Sequence, residues 1–371
     1  MKIAILSAAN SIHTVRIVNA LFSLGHEVRL YSLKSHQATD NKILPEIQIE
    51  YLSLRSSTGY LTGGKLLRQH LNAFRPDVLN AHYASGYGSL AVQSKFHPLL
   101  LSVWGSDVYD FPYKNFFYRA LIKRNLKRAD SIASTSRVMA KQTRKLFSAH
   151  EKERPIHVTP FGVDVELFSP APLAVKTGDE FHIGFVKIIS EKYGLRYLLE
   201  AFSVLQQKNK YPYTLKLDIY GDGPDEVTMK QLTKDLGISQ NVTFHGRILN
   251  TEVPNALRKM DVFCMPSIFD SESFGVSAVE AMACQIPVLG SDVDGLTEVI
   301  KTPEVFGLKA TGIIVPRKDS AALADKLNLL IKSEALRIRL GKSGRSHVLK
   351  NYDFSHNILQ LEQALLNCVS S

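Results

Sequence analysis

Cysteine is scarce in this chain of 371 residues, where only Cys264, Cys284 and Cys368 occur. Three cysteines so far apart cannot build a disulfide framework, and none has a second cysteine at the spacing of a zinc site. A reducing, cytosolic compartment is therefore the expected setting. No apolar run reaches the roughly 18 residues that a membrane-spanning helix needs. The opening segment MKIAILSAAN is too short for a signal peptide and indicates a first strand.

Acidic residues are also in deficit, with 35 Asp and Glu against 45 Lys and Arg, and the formal net charge is +10. Most of the excess lies between Lys114 and Arg154, where twelve basic residues stand against three acidic ones. Residues 113–129 mix aromatic and basic side chains and predict a basic amphipathic helix, which suits an anionic membrane surface. The alternative is a core-facing helix with a solvated basic face. Nucleic acid is not expected, because no reader motif accompanies the patch.

A glycine-rich dinucleotide loop is missing as well. The first strand, a helix ending near Leu24 and a second strand at 28–33 form a Rossmann-like opening. The link between strand and helix contains no G-x-G-x-x-G, which disfavours a dinucleotide-dependent oxidoreductase. Asn10 or Ser11 is expected to cap the helix. His13, in its first turn, either contacts substrate or is a surface residue.

Two further segments resemble sites only in part. Residues 59–65 imitate a phosphate loop, but Leu66 stands where a magnesium-binding Ser or Thr is required, so an ordinary helix is expected there. His82 ends the strand predicted at 78–82, and open α/β sheets bind ligands at the carboxyl ends of their strands. His82 is therefore either an acceptor-site or acid–base residue, or a hydrogen-bonded structural histidine.

The most informative stretch is residues 266–300, which predicts a polar loop, a helix at 276–284 and a short buried strand. The N–H groups at a helix start form an anion site, and Gly275 lets a phosphate approach them closely. Glu280, more than a turn into the helix, is placed to accept hydrogen bonds from a ribose. Glu272, before the helix, is placed to reach the group attached to the phosphate. This pattern indicates a nucleotide-sugar site. The alternative is that Glu272 only interacts favourably with the helix dipole and that Glu280 is a solvated helix residue.

The sequence pattern of this stretch is PS-x4-E-x-F-G-x4-E-A-M-A-C-x-x-P-V. It resembles the donor-site signature of retaining glycosyltransferases of family 4, the glycosyl transferases of group 1. Residues 160–170 resemble the family segment P-x-G-V-D-x-x-x-F-x-P. Residues 221–224 resemble its G-x-G-P loop, which borders the nucleotide. The resemblance covers most of the chain and is strongest at 160–316.

The resemblance implies an α/β fold of two facing Rossmann-like domains, the GT-B arrangement. Residues 1–168, with a returning C-terminal helix at 352–371, would form the acceptor domain, and residues 169–351 would bind the nucleotide sugar. The implied reaction moves a sugar from a nucleotide diphosphate to an acceptor hydroxyl with retention of the anomeric configuration. It implies no cofactor other than the nucleotide sugar and no metal.

The implied site residues fall into three groups. Glu272 would orient the donor sugar, and Lys187 and Lys192 would clamp the diphosphate. The remaining donor residues would be Gly221, Gly223, Arg247, Ser273, Phe274, Gly275, Val276 and Glu280. The acceptor side would carry Asn10 and His13, with Asp107 and His82 as its polar catalytic candidates.

The chain departs from the family pattern at three places. Val186-Lys187 stands for a Gly-Arg pair, Trp104 for a histidine near the reacting sugar, and Asp294-Gly295 for Gly-Gly. Lysine is a point charge without the bidentate fork of arginine, so the geometry of the diphosphate clamp changes. A general base is not obligatory if the leaving phosphate takes the acceptor's proton.

Two alternatives stay open. A nucleotide-sugar 2-epimerase shares the architecture, and a degenerate partner subunit is favoured by Trp104 and Val186 but disfavoured by Glu272, Glu280 and Lys192. For the transferase, the expected acceptor is a lipid-linked or oligosaccharide precursor of a cell-surface polysaccharide or glycolipid. The expected location is the cytoplasm, with peripheral attachment to the inner face of the plasma membrane through residues 113–129.

Overall fold

The computed structural model describes residues 1–38, 42–54, 59–148, 151, 154–171, 179–208 and 211–370. The chain divides into two compact units, Met1–Phe161 with Ser355–Ser371, and Gly162–Phe354. Pro172, Thr177 and Gly178 of the predicted linker, and Lys152 and Glu153 of the basic region, lie outside the described residues.

The first unit contains a seven-stranded parallel sheet in the order β3-β2-β1-β4-β5-β6-β7. Two of its central strands, β4 and β5, are fully buried, as expected where helices cover both faces of a sheet. The strand order reverses beside β1, which pairs with both β2 and β4. Ligands of open α/β sheets bind at such a switch point. The strands are β1 Lys2–Leu6, β2 Glu27–Leu33, β3 Gln48–Leu52, β4 Val78–His82, β5 Leu99–Val103, β6 Ser131–Ser134 and β7 Ile156–Val158.

The second unit contains a six-stranded parallel sheet in the order β10-β9-β8-β11-β12-β13. Here the order reverses beside β8, which pairs with β9 and β11. The carboxyl ends of β8 and β11 therefore come together, and these are the ends that lead into the predicted donor segments. The strands are β8 Glu180–Val186, β9 Thr214–Tyr220, β10 Val242–Gly246, β11 Val262–Met265, β12 Val288–Ser291 and β13 Gly312–Val315.

Helices connect the strands throughout. They are α1 Ile12–Ser23, α2 Gly59–Thr62, α3 Gly64–Phe74, α4 Gly86–Ser94, α5 Ser106–Tyr109, α6 Phe116–Arg128, α7 Arg137–Arg144, α8 Leu195–Lys208, α9 Glu226–Asp235, α10 Val253–Lys259, α11 Val276–Ala283, α12 Asp294–Val299, α13 Pro303–Phe306, α14 Ser320–Lys332, α15 Glu334–Asn351 and α16 Phe354–Val369. The segment that imitates a phosphate loop is helical, as α2 and the start of α3. Among the described residues, none of these helices is both long and apolar enough to cross a bilayer.

Two helix starts differ from the sequence prediction. The basic helix α6 begins at Phe116 rather than at 113, because the Asn115 side chain caps it by accepting a hydrogen bond from the Tyr118 N–H at 2.9 Å. The predicted side-chain cap of α1 is wrong. Ser11 occupies the N-cap position, but no side-chain hydrogen bond caps the helix.

The predicted fold class, two parallel α/β units with the C-terminal helix returning to the first, is confirmed. The chain passes between units at Phe161/Gly162, earlier than the predicted 168/169. The segment in between is bonded within the second unit. The N–H of Val163 donates to the carbonyl oxygen of Tyr352 at 2.8 Å, and the Arg345 guanidinium donates to the carbonyl oxygen of Phe168 at 2.6 Å.

Candidate active site

The loop from β11 to α11 carries the predicted donor signature and is largely buried, including Glu272, Ser273 and Phe274. Gly275 ends the loop at the N-cap of α11 with a φ of 80°. That left-handed conformation favours glycine, and a Cβ there would press against Leu296.

The helix α11 begins at Val276, and the N–H groups of Ala278 and Val279 both donate to the carbonyl oxygen of Gly275, at 3.0 and 3.1 Å. The N–H groups of Val276 and Ser277 have no carbonyl partner inside the helix. The anion site predicted at this helix start stays a prediction.

Lys187, just after β8, forms an ion pair with Glu272, with 3.0 Å between Nζ and Oε2. The two side chains are 18% and 8% exposed. Burial lowers the pKa of Lys187, but the acidic groups of Glu272, Tyr193 and Glu280 outweigh burial and raise that pKa above its usual value. Lys187 is therefore held as a cation beside the carboxylates of the signature.

Tyr193 is a member of this group that the sequence did not single out. Its ring centroid lies 4.9 Å from the Lys187 Nζ and 5.3 Å from the Lys192 Nζ. The quadrupole of an aromatic ring attracts both ammonium groups to its face. The structure thus brings the two predicted clamp residues together around one ring. Glu280 is buried on α11.

The glycine loop after β9 packs against the loop of Lys187. The N–H of Lys187 donates to the Tyr220 carbonyl oxygen at 3.0 Å, and a Cβ at Gly221 would collide with the carbonyl oxygen of Lys187 itself. The N–H of Gly221 donates to the Gly246 carbonyl oxygen at 2.8 Å. Arg247, directly after Gly246, is exposed at the end of β10. The ends of β8, β9 and β10 are thereby coupled. Gly223 makes an equally close approach, to the backbone of Ile189.

Two imidazoles share one carboxylate across the same three strands. The Asp218 carboxylate lies 2.7 Å from the His182 Nδ1 and 2.7 Å from the His245 Nε2. The hydrogen bond to Asp218 raises the pKa of His182, against an opposing effect of burial. Burial raises the pKa of Asp218, but the hydrogen bonds from both histidines bring that pKa below its usual value. Sequence reasoning missed this bridge, because only strand register brings the residues together.

In the first unit, His82 has no exposed surface. Its Nδ1 lies 2.9 Å from the Ser7 Oγ and its Nε2 lies 3.0 Å from the Asn80 Oδ1. Burial, with a smaller contribution from the charge of His13, lowers the pKa of His82 to about 3. Both nitrogens have partners inside the protein, so the geometry favours the structural interpretation of His82.

Asp107 is also buried and bonded to the backbone. Its carboxylate accepts hydrogen bonds from the N–H groups of Ala84 at 2.7 Å, Gly105 at 2.9 Å and Trp104 at 3.1 Å. Burial raises the pKa of Asp107, and these backbone hydrogen bonds oppose the shift. In this position the Asp107 carboxylate stabilises the turn that follows β5 and is shielded from solvent.

Trp104 is nearly buried within a group of rings at the carboxyl ends of the first unit's strands. Its ring centroid lies 4.3 Å from that of His82, 5.3 Å from that of Tyr83 and 5.1 Å from that of Phe161. His13 stacks on Phe161 at 4.0 Å and is partly exposed. His13 therefore lies at the rim of the strand ends, where an acceptor site is expected, and Asn10 nearby is exposed.

No group of three or more His, Cys, Asp or Glu side chains able to hold a metal ion occurs within the described residues.

Comparisons with known proteins place this geometry in a family. Residues 174–347 match the model "Glycosyl transferases group 1", and residues 2–136 match the model "Glycosyl transferase 4-like". The chain is 32% identical over 201 residues to a phosphatidyl-myo-inositol mannosyltransferase of Mycobacterium leprae, covering 53% of this chain and 49% of that protein. It is 26% identical over 301 residues to an N-acetyl-alpha-D-glucosaminyl L-malate synthase of Bacillus anthracis, covering 77% of this chain and 73% of that protein. The matches to the first relatives span about half to three fifths of the length of those proteins.

Solved structures show the same fold at low identity. The sucrose-phosphate synthase of Thermosynechococcus elongatus superposes with a TM-score of 0.85 at 20% identity, covering 100% of this chain and 99% of that one. Anabaena HepE, solved in complex with UDP, superposes with a TM-score of 0.80 at 18% identity, covering 99% of this chain and 100% of that one. With its two matched halves, its paired parallel sheets and its intact signature loop, this chain belongs to the group 1 glycosyltransferases, family 4, of GT-B fold.

Proposed function

We propose that the protein is a retaining glycosyltransferase that moves a sugar from a nucleotide diphosphate sugar to an acceptor hydroxyl, in the assembly of a cell-surface polysaccharide or glycolipid. The observation that carries the proposal is the ion pair of Lys187 with Glu272 before α11, with Lys192 against the same Tyr193 ring as Lys187 and Glu280 buried on α11.

The diphosphate is the leaving group of this reaction, and negative charge develops on it as the bond to the sugar breaks. Lys187, Lys192 and the first N–H groups of α11 are placed to offset that charge, and preorganised donors of this kind supply much of the stabilisation in such sites. Lys187 would exchange its partner Glu272 for the diphosphate. The Glu272 carboxylate would then be released towards the donor sugar.

The nucleoside would lie along the ends of the neighbouring strands. Glu280 would accept hydrogen bonds from the ribose, Gly221 and Gly223 would give room for close approach, and Arg247 would reach the base. The two lysines and the helix start perform the charge stabilisation in this scheme, so it includes no metal and no cofactor.

His82 and Asp107, the polar candidates for a base in the first unit, are both buried, so we assign the acceptor's proton to another group. The bond between the anomeric carbon and the phosphate oxygen breaks while the acceptor oxygen bonds to that carbon on the same face. The acceptor's proton passes to the departing phosphate oxygen, so both the sugar and the proton are accounted for. Bonding on the same face retains the anomeric configuration. His82 and Asp107 are not needed as bases in this scheme. They support the strand ends instead.

A lipid-linked acceptor is supported by the surface of α6. Phe116 and Phe117 are 77% and 78% exposed, while Ile122 and Leu126 of the same helix are buried. Core packing accounts for the second pair but not for the first. The lysines and arginines that follow these rings on α6 would bind anionic headgroups while the rings enter the interface. Two relatives in the comparison are named for phosphatidylinositol acceptors. We place the protein in the cytoplasm, docked at the inner face of the plasma membrane.

A thermal-shift panel of UDP, GDP and their sugar conjugates tests the donor site. A nucleotide at about 100 times its dissociation constant stabilises its binding unit by about 2.7 kcal/mol. The shift should fall to about half in Glu280→Ala, which binds about tenfold more weakly, and persist in full in Glu304→Ala, which removes an exposed glutamate of α13. Binding followed only by epimerisation of the donor would favour the epimerase. Absence of a shift with every nucleotide would favour the partner subunit and refute the proposal.

A further inference from the structure

One arginine joins three loops at the carboxyl edge of the second sheet. Arg317, after β13, lies with its Nη1 2.9 Å from the Asp270 Oδ1 and its Nε 3.0 Å from the Asp292 Oδ1. Its backbone N–H also donates to the Asp292 Oδ1 at 2.8 Å, and its Nη2 donates to the Asp292 carbonyl oxygen. Asp292 follows β12, whereas Asp270 lies in the signature loop after β11.

The signature loop, residues 266–275 between β11 and α11, makes two further hydrogen bonds to the start of α12. The Asp270 Oδ1 accepts a hydrogen bond from the N–H of Asp294 at 3.1 Å. The N–H of Gly295 donates to the carbonyl oxygen of Glu272 at 3.1 Å. A Cβ at Gly295 would collide with the backbone of the loop between Glu272 and Phe274, so the start of α12 lies directly against it. The backbone of Glu272 is thus held from the side of α12, and Asp270, two residues earlier, is held by Arg317.

The guanidinium is suited to this task because its planar donors engage two carboxylates and a carbonyl at fixed angles. An isolated exposed ion pair contributes little to stability, and all three side chains here are partly exposed. The contacts of Arg317 with Asp270 and Asp292 are therefore expected to affect the placement of the loop more than the global stability. Without Arg317, the two aspartates would lose their shared cation and repel each other.

We propose that Arg317 is a positioning residue for Glu272. It acts through Asp270 by holding the signature loop against the loop of β12, and it does not touch the substrate. The inference deepens the proposed donor site and rests on it for its effect on turnover. Its effect on the loop itself does not depend on any substrate.

The first experiment is amide hydrogen exchange across residues 267–275 in Arg317→Ala, Arg317→Lys and the control Lys318→Ala. The control removes the neighbouring exposed cation, for which the structure shows no bond to either aspartate within the described residues. Exchange in the loop should rise about tenfold in Arg317→Ala, rise less in Arg317→Lys and stay at the native rate in Lys318→Ala. Equal exchange in Arg317→Ala and Lys318→Ala would overturn the proposal. If Arg317→Ala fails to fold, Asp270→Asn is measured instead, with the same expected direction and the same contradicting result.

A kinetic arm separates positioning from a general loss of structure. In Arg317→Ala, kcat should fall about ten- to a hundredfold, as misplacement of a reacting group by about 1 Å does. The affinity for UDP or GDP, whichever the native protein binds, should not fall by more than about threefold, because Arg317 is bonded to Asp270 and Asp292 rather than to the lysines assigned to the diphosphate. Equal losses in affinity and kcat would contradict the positioning role. Failure of the native protein to bind either nucleotide would refute the donor site, while the exchange result would still decide the role of Arg317 in the loop.

Discussion

Lys187 and Glu272, which the family signature assigns to different parts of the donor, are bonded to each other across 3.0 Å. The other oxygen of the same carboxylate accepts a hydrogen bond from the Gly275 N–H at 3.2 Å. Glu272 therefore occupies the two groups, an ammonium and a helix-start amide, that a diphosphate would use. In the proposed donor site the carboxylate and the diphosphate would compete for these two groups, so donor binding would release Glu272.

Substitution of Lys187 tests what the cation contributes. Lys187→Ala leaves the Glu272 carboxylate buried without its partner, and loss of one member of a buried pair costs about 3 kcal/mol. Lys187→Arg keeps the charge and supplies a bidentate donor. We expect chemical unfolding to show the loss in Lys187→Ala only, and the diphosphate affinity to survive in Lys187→Arg. An unchanged unfolding midpoint in Lys187→Ala would contradict the importance of the pair.

The structural role of His82 predicts a separation of stability from pH dependence. His82→Ala leaves the Asn80 amide oxygen buried without its imidazole partner and leaves a cavity beside Ser7, whose hydroxyl keeps Thr14 Oγ1 at 2.8 Å. This should cost about 2–4 kcal/mol in urea unfolding. Because the pKa of His82 lies near 3, the ring is neutral from pH 5 to 9. The pH profile of turnover should therefore keep its shape in this variant. Loss of one limb of the profile would instead identify His82 as an acid–base residue.

The sequence predicts a donor site at this loop because the chemistry there is local: Glu272, Gly275 and Glu280 lie within one loop and the helix that follows. Polar residues at strand ends were harder to interpret. His82 and Asp107 occupy positions where side chains meet ligands in many sheets, yet here both are buried against neighbouring groups, which no local pattern distinguishes.

The residues that sequence reasoning missed are joined by long-range geometry. His182, Asp218 and His245 meet through the register of three strands, and His245 lies where the pairing of β10 with β9 shifts by one residue. Arg317 reaches Asp270 from a loop after a different strand. Tyr193 had a local signal, as an aromatic residue directly after Lys192, but its ring serves both lysines only because β8 brings Lys187 alongside.

The His182–Asp218 contact predicts how stability changes with pH. The folded pKa of His182 is raised above 6.5, so its contribution is fully present below about pH 6.5 and is lost as the pH rises through the raised value. The folded pKa of Asp218 is lowered below 3.8, so its contribution is present above about pH 3.8 and is lost as the pH falls through the lowered value. Stability of the second unit should therefore decline as the pH rises above about 6.5.

Urea unfolding at several pH values measures this decline, which should be about 1 kcal/mol or less because His182 is partly exposed. His182→Gln should remove its contribution to the decline. His347→Gln is the matched control in the same unit, since burial lowers the pKa of His347 to about 4 and the ring does not titrate in this range. An identical decline in the native protein and in His182→Gln would refute the assignment.

Membrane docking through α6 predicts weaker binding to vesicles when the exposed rings are removed. A Phe116→Ser, Phe117→Ser variant should partition at least about tenfold less onto anionic phosphatidylglycerol vesicles, because each ring brings about 1.5–3 kcal/mol of apolar burial. Leu359→Ser, which alters an exposed apolar residue of α16, is the control and should bind as the native protein does. Equal co-sedimentation of all three proteins would contradict docking by this helix.

The most direct measurement of the central claim is a calorimetric titration of UDP and GDP into the native protein, Glu272→Gln and Glu280→Ala. If Lys187 is shared between Glu272 and the diphosphate, Glu272→Gln should bind the nucleotide about three- to tenfold more tightly, a gain of about 1 kcal/mol, while losing sugar transfer. Glu280→Ala should bind about tenfold more weakly through the lost ribose contacts. Weaker binding in Glu272→Gln, or unchanged binding in both variants, would contradict a donor site built around the start of α11.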